Sequence, residues 1–176
     1  MQETEKLAEW IKWALIFVFG SGGLLGFFIS RILANLDRRN AYDKETMKRI
    51  VDDLSKLISS IRLHDFGAAY RHDIHSQMDR FELHSLEPEY KFLNKKLEKI
   101  RLELDDAVLQ FNHKLALNSH HLPTSAGHTF GKIYTSRYEE DEDYDKYERL
   151  RSEINSMVDK VCKLYDKLIR SAKMKV

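Results

Sequence analysis

The chain of 176 residues contains little that would interrupt a helix. It has two prolines and seven glycines, and four of the glycines lie close together at Gly20, Gly22, Gly23 and Gly26. Neither glycine nor proline occurs again before Gly67. Because these two residues are the least favourable in a helix interior, their scarcity predicts an all-α protein.

Cysteine and an excess of charge of one sign are also scarce. The single cysteine, Cys162, cannot form a disulfide within the chain, which fits a reducing compartment, and its apolar neighbours indicate a packing role. The 29 Lys and Arg residues balance 28 Asp and Glu residues. A net charge of +1 creates no general field that would recruit nucleic acid, so we expect no stable binding to it.

Familiar catalytic motifs are missing from the sequence. It contains no phosphate-binding glycine loop, no HExxH, no CxxC pair and no nucleophile elbow. The histidines at His72, His75, His120, His121 and His128 match no familiar metal-ligand spacing. We therefore assign no catalytic residue, no metal ligand and no cofactor from the sequence.

The most distinctive feature present is the uncharged segment Trp13–Ser30, bounded by Lys12 and Arg31. A helix of eighteen residues is roughly 27 Å long, close to the hydrocarbon thickness of a bilayer. A buried core helix is the alternative, but such a helix would normally carry a polar stripe. The segment therefore predicts an N-terminal transmembrane helix within residues 1–36, followed by a second region over residues 37–176.

Charges around this segment predict its orientation. Its C-terminal side carries a run of basic residues, namely Arg31, Arg38, Arg39, Lys44, Lys48 and Arg49. By the positive-inside rule the span crosses once, with the N-terminus outside and the larger region in the cytoplasm. A cleaved signal peptide is the main competing interpretation. It would require a basic leader, whereas this leader carries Glu3, Glu5 and Glu9.

Small residues recur every four positions in and after the segment, at Gly22, Gly26, Ser30 and Ala34. In a helix they form one stripe along which a second backbone can approach closely. Glycine is also simply common in membrane helices, so the stripe alone does not require self-association. We expect several copies to associate along it as a homo-oligomeric ring in the lipid bilayer, with Arg31, Asn35 and Arg38 at the cytoplasmic mouth.

The remaining sequence predicts an antiparallel bundle of three or four helices. Residues 37–46 are polar on all sides and are either a solvated helix or a break. Residues 63–87 are expected to be mostly helical, Pro88 to begin a helix that ends near Asn118, and residues 119–138 to form a long loop. The predicted inward-facing side chains of the first, middle and last helices follow three- and four-residue spacing: Met47, Ile50, Val51, Leu54, Leu57, Ile58 and Ile61; Phe92, Leu93, Leu97, Ile100, Leu104, Val108, Phe111 and Leu115; and Tyr147, Leu150, Ile154, Val158, Val161, Leu164, Tyr165 and Leu168.

Two arginine–histidine pairs, Arg71 with His75 and Arg80 with His84, have helical spacing. On a helix each pair would share a face. Histidine exchanges protons near neutral pH and arginine holds phosphate, so such pairs suit phosphodiester chemistry. Chance pairs are also expected in a charged chain with eight histidines.

The combined layout resembles the small membrane-anchored accessory proteins encoded beside the RNA-guided RNA nuclease of type VI-B CRISPR systems. The shared features are the glycine-rich segment Trp13–Ser30, an α-helical region of this length and a histidine-rich stretch. The resemblance implies a divergent HEPN-like bundle and a homo-oligomeric pore in the bacterial inner membrane that strengthens antiphage defence by perturbing the membrane potential. It implies a functional link to that nuclease, without specifying direct contact.

This sequence departs from the active HEPN pattern of arginine followed by histidine after four to six residues. Both of its pairs have only three intervening residues, so Arg71, His75, Arg80 and His84 are at most a degenerate HEPN-like set. Two alternatives to the pore stay open: a membrane-tethered interaction module without a channel, and a membrane-bound HEPN-like ribonuclease.

Overall fold

A computed structural model describes residues 2–122, 130–133 and 142–173. In this part of the chain the protein is 81% helical with four helices and a small sheet, so the predicted mostly helical character is confirmed. In chain order the elements are α1 (Gln2–Ile61), β1 (Tyr70–Arg71), α2 (Asp73–Ser85), α3 (Lys95–Leu117), β2 (Ser119–Leu122), β3 (Phe130–Ile133) and α4 (Glu142–Lys173), with a 3₁₀ turn at Pro88–Tyr90 between α2 and α3.

Two compact units divide the chain, Met1–Ala41 and Tyr42–Val176. Helix α1 is a single helix from Gln2 to Ile61. The question left open for residues 37–46 is therefore answered in favour of a solvated helix, since most of these residues are exposed and all are helical.

Of the predicted membrane span, only the last four residues have described side chains. Side chains are described for residues 27–120, 130–133 and 144–173, and within them no helix is long and apolar enough to cross a membrane. Residues 13–26, which supply most of the Trp13–Ser30 segment, lie outside that part of the chain. The transmembrane helix therefore stays a prediction.

The second unit is built around one hydrophobic core. Side chains from the last turns of α1 and from α2, α3 and α4 contribute to it. The predicted periodicity is largely confirmed, because the helical stripes listed above supply most of the buried side chains. Leu93 is an exception, being 46% exposed. The residues of the core are Ile50, Leu54, Leu57, Ile58, Ile61, Phe66, Tyr70, Ile74, Met78, Phe81, Tyr90, Phe92, Leu97, Ile100, Leu104, Ala107, Val108, Phe111, Leu115, Ile133, Ile154, Val158, Val161, Cys162, Tyr165 and Leu168.

The start of α3 differs from the expected start at Pro88. Pro88 opens only the 3₁₀ turn, and α3 begins after Asn94, whose side chain accepts hydrogen bonds from the backbone N–H groups of Lys96 and Leu97. Asp43 of α1 accepts hydrogen bonds from the backbone N–H groups of Leu93 and Asn94. These capping contacts favour an extended connection at 91–94 over continued helix.

Within residues 63–87, which were expected to be mostly helical, α2 forms the helical part. The segment before α2 is not helical. Between Ile61 and Asp73 the chain turns, with the Asp65 carboxylate accepting a hydrogen bond from the backbone N–H of Gly67 at 2.9 Å. The backbone N–H of Phe66 donates to the Asn155 side chain on α4. The aromatic side chains of Phe66 and Tyr70 are buried, and they reach the core from a turn and from strand β1.

The small sheet is a correction to the all-α prediction and to the loop expected at 119–138. Strand β3 pairs antiparallel with β1 on one side and β2 on the other, with Tyr70 opposite Gly131 and His121 also opposite Gly131. The Tyr70 ring covers Gly131 so closely that a Cβ there would lie 2.6 Å from the Tyr70 hydroxyl oxygen. Glycine is thus present because the aromatic ring needs its space, and not as a loop signal. Residues 123–129 and 134–141 lie outside the described residues.

Candidate functional site

The segment of α1 over residues 29–38 has two contrasting faces, whereas the exposed Phe27 and Phe28 just before it lie on the same side of the helix as Arg31. Arg31, Asn35 and Arg38 are exposed and, at four- and three-residue intervals, lie within about 60° of one another around the helix axis. The opposite face is apolar and also exposed, with Ile29 at 56%, Leu33 at 54% and Leu36 at 46%. The three residues predicted for a cytoplasmic mouth therefore share one polar face.

The small-residue stripe is described only in part. Ser30 is exposed on α1, as is Ala34 one turn later. Gly22 and Gly26 belong to the same helix, but their surroundings lie outside the described side chains. Their predicted role in helix packing stays a prediction.

Arg71 and His75 bind different partners in the structure. Arg71 lies in strand β1, before α2 begins, so the helical spacing argument does not apply to it. Its guanidinium binds Asp73 at 3.0 Å and is 68% exposed. His75 lies in the first turn of α2 and makes its hydrogen bonds elsewhere, with Tyr70 and Asn112.

His75 lines a polar groove between α2 and α3, which we call the histidine groove. Its volume is about 410 Å³. One wall is a stripe of α2 with helical spacing and the other is a stripe of α3, closed at one end by the start of β2. The lining residues are His72 just before α2, His75, Asp79 and Glu82 of α2, Leu109, Asn112, His113 and Ala116 of α3, and Ser119 of β2.

Asn112 joins the two walls of the histidine groove. It is nine-tenths buried, and its amide nitrogen donates to Asp79 Oδ1 at 2.7 Å and to Glu82 Oε1 at 3.0 Å. Its amide oxygen lies 2.9 Å from Nδ1 of His75. Both ends of this side chain are therefore engaged, which fixes its orientation.

Tyr70 is the second hydrogen-bond partner of His75, after Asn112. Its hydroxyl lies 3.1 Å from Nε2 of His75, and its ring is 1% exposed. Burial raises the pKa of the Tyr70 phenol, which the neighbouring Ser119 hydroxyl partly offsets. Tyr70 therefore stays neutral over the whole physiological pH range.

The chemistry of this groove disfavours phosphate. Asp79 and Glu82 are anionic acceptors on its wall, and Arg71 binds Asp73 and does not line it. Among the residues that the structure describes, no group of three His, Cys, Asp or Glu side chains is arranged to hold a metal ion. Of the histidines considered for a metal, His121 and His128 lie outside the described side chains.

The second pair, Arg80 and His84, does converge, as its spacing predicts. Both reach the carboxylate of Asp53 on α1, with His84 Nδ1 at 2.7 Å and Arg80 Nε at 3.8 Å. The hydroxyl of Tyr90 also donates to Asp53. Burial raises the pKa of Tyr90 well above its usual value, and the hydrogen bond to Asp53 adds to this effect.

This second cluster connects helices within the bundle. The Asp53 side chain is only 14% exposed, and its two oxygens are occupied by groups from α2 and the 3₁₀ turn. Arg80 and His84 therefore have an internal carboxylate where a phosphodiester would have to bind. The cluster stabilises the packing of α1 against α2.

Sequence reasoning missed the residues that organise both clusters. Asp53 and Tyr90 are distant in sequence from the Arg80–His84 pair, and Tyr70 precedes α2. Asn112 offered the one available signal, since it is a polar residue on the apolar side of α3, beside Phe111. No family model matches this chain, and neither a curated protein nor a solved structure is similar enough to count as a match.

Proposed function

We propose that this chain is a membrane-anchored protein whose copies associate through α1 into a ring that conducts ions. The observation that carries the proposal is the two-faced segment 29–38 of α1. Its apolar face, with Ile29, Leu33 and Leu36 about half exposed, has no partner among the described residues. Lipid would cover such a face, because exposed contiguous apolar surface indicates contact with membrane or protein.

The polar face supports a pore more than a simple anchor. Arg31, Asn35 and Arg38 lie on the side of α1 opposite the apolar residues. A charged ring is costly in lipid, so in an oligomer these side chains face water or anionic headgroups. Rings of arginine favour anions over cations, which gives the proposed pore a definite selectivity.

The wider role follows from the resemblance to accessory proteins of type VI-B CRISPR systems. We propose that opening of the ring collapses the membrane potential of an infected bacterial cell once an RNA-guided nuclease has recognised phage RNA. Self-association and the bilayer are the partners that the proposal requires. Direct contact with the nuclease is not part of it.

Dye release from liposomes tests the proposal. The purified full chain should release a small anionic dye from preloaded vesicles. The double substitution of Gly22 and Gly26 by Leu should abolish release, because bulky side chains would block close helix approach along the stripe. Gly20→Leu is the matched control, since Gly20 lies about 160° around the helix from Gly22 and should tolerate the change.

The outcomes separate the alternatives. Intact vesicles with a protein that inserts into them would contradict the pore and favour the tethered interaction module. Equal release by the Gly22, Gly26 double variant would contradict the role of the stripe. Cleavage of RNA by the same preparation, lost on substituting His75 and His84 by Ala, would favour the ribonuclease.

A further inference from the structure

The hydrogen bonds around His75 have a direction that the chemistry of the partners dictates. Asp79 and Glu82 carry acceptor oxygens, so the Asn112 group that faces both of them, at 2.7 and 3.0 Å, is the amide –NH₂. The Asn112 carbonyl oxygen then faces His75 Nδ1 at 2.9 Å. An amide oxygen only accepts, so Nδ1 of His75 carries a hydrogen.

The other ring nitrogen follows from this assignment. In a neutral imidazole one nitrogen donates and the other accepts, so Nε2 of His75 is the acceptor. The Tyr70 hydroxyl, 3.1 Å away, donates to it. The neutral chain therefore runs from Tyr70 through His75 to Asn112 and ends at Asp79 and Glu82.

We propose that Tyr70, His75 and Asn112 form a hydrogen-bond switch whose direction is set by the protonation of His75. When the ring takes up a proton, Nε2 also becomes a donor and binds the Tyr70 oxygen. The Tyr70 hydrogen must then turn away from the ring. Ser119, whose hydroxyl lies beside Tyr70, is the group that can accept it.

The switch couples the histidine groove to the sheet. His75 lies in α2 and Asn112 in α3, whereas Tyr70 lies in β1 and Ser119 begins β2. Proton uptake in the groove therefore turns the Tyr70 hydroxyl hydrogen toward the first residue of β2 without breaking the contact between Tyr70 and His75. Histidine is the side-chain type that exchanges protons near neutral pH, so the switch is tested between pH 5 and pH 8.

Several charged or titratable groups face His75, and a test of the switch must take them into account. From α2 these are Asp79 and Glu82, and from the residue before α2 it is His72, whose ring centre is 5.1 Å from that of His75. From α3 the groove receives His113, and from β1 the ring contacts Tyr70. His72 and His113 are also histidines of the groove, so the measurement must resolve the His75 ring itself.

Nitrogen-15 NMR of the full chain labelled at histidine tests the switch. Through-bond correlations assign the two nitrogens of His75 without any substitution. At pH 8 the switch predicts a hydrogen on Nδ1 and a bare Nε2, and at pH 5 a hydrogen on both. A hydrogen on Nε2 at pH 8, or a His75 ring that stays neutral at pH 5, would overturn the proposal.

A substitution gives a second and independent readout. Tyr70→Phe removes the partner of Nε2, and hydrogen bonds to a charged ring are stronger than those to a neutral ring. The variant should therefore lose more of its melting temperature at pH 5 than at pH 8. Tyr144→Phe is the control, because Tyr144 is 63% exposed on α4, and it should show no such difference. An equal loss for Tyr70→Phe at both pH values would contradict the switch.

Discussion

At the scale of single residues, Gln77 has the most unpaired buried polar atoms among the described side chains. It is 6% exposed on α2, and neither its amide nitrogen nor its amide oxygen has a hydrogen-bond partner among the described residues. A buried amide without partners costs about 1–3 kcal/mol. The residue therefore destabilises the fold that contains it.

Gln77→Met should raise the free energy of unfolding by about 1–3 kcal/mol, because an apolar side chain of similar length removes the unpaired amide. Gln110→Met is the matched control on α3. Gln110 is exposed and donates to Asp106, so its replacement should change stability by about 0.5 kcal/mol or less. Urea denaturation of the full chain measures both variants. A loss of stability for Gln77→Met would show that its amide has partners in solution.

A second residue-scale effect concerns Asp105 on α3. Burial raises its pKa to about 6 and the like charge of Glu98 adds to the rise, although Arg101, which binds the same carboxylate, lowers the pKa. The pKa of Arg101 is also raised: burial lowers it, but the hydrogen bond to Glu98 and the charges of Glu98 and Asp105 outweigh that effect. Arg101 binds two carboxylates, those of Glu98 and Asp105, whereas Asp105 shares the single guanidinium of Arg101 with Glu98. The raised pKa of Arg101 and the raised pKa of Asp105 are therefore compatible.

Asp105 should therefore make the protein less stable as the pH rises. Its folded-state pKa lies above the unfolded value of 3.8, so its contribution is complete below about pH 4 and is lost through pH 6. The loss amounts to about 3 kcal/mol as an upper bound. Asp105→Asn should not show it, and thermal unfolding of both proteins from pH 4 to 8 measures the difference. A wild-type protein that gains stability relative to the variant over this range would contradict the assignment.

At the scale of elements, periodicity was enough to predict the buried faces of α1, α3 and α4. Apolar spacing carries this information because each helix buries one side against a common core. The boundary of α3 does not follow from periodicity, since it is set by the local cap of Asn94 and by the contacts of Asp43 with residues about fifty positions away. Strands β2 and β3 were missed because four-residue strands offer too short a pattern.

The sheet depends on the contact between Gly131 and Tyr70. Gly131→Ala would place a Cβ 2.6 Å from the buried Tyr70 hydroxyl oxygen, so it should cost about 1–3 kcal/mol and displace Tyr70 from His75. Gly67→Ala is the control, since its nearest neighbour at 2.6 Å is the Arg151 side chain, which can shift. Thermal unfolding compares the two. An equal or smaller loss for Gly131→Ala would contradict this account of the sheet.

Of the candidate sites, the sequence predicted that Arg80 and His84 share a helix face, which depends only on spacing within one helix. The histidine groove could not be predicted, because it requires Asn112 from α3 beside the α2 stripe. Contacts between elements follow from the tertiary fold, which spacing along the chain does not specify.

At the scale of the whole molecule, the account depends on several copies assembling in lipid. The described surface of α1 is consistent with this, since its exposed apolar face and its arginine face lie on opposite sides of one helix. In a monomer, no other copy of α1 would contact either of these exposed faces. Assembly is therefore the claim from which the pore, its selectivity and the role of the glycine stripe all follow.

The most direct test is the mass of the full chain extracted from membranes in mild detergent, measured by light scattering with the detergent contribution subtracted. The account predicts a protein mass several times the 20.8 kDa of one chain, falling toward that value for the Gly22, Gly26 double substitution to Leu. A mass of one chain for the wild-type protein, or extraction without any detergent, would contradict it.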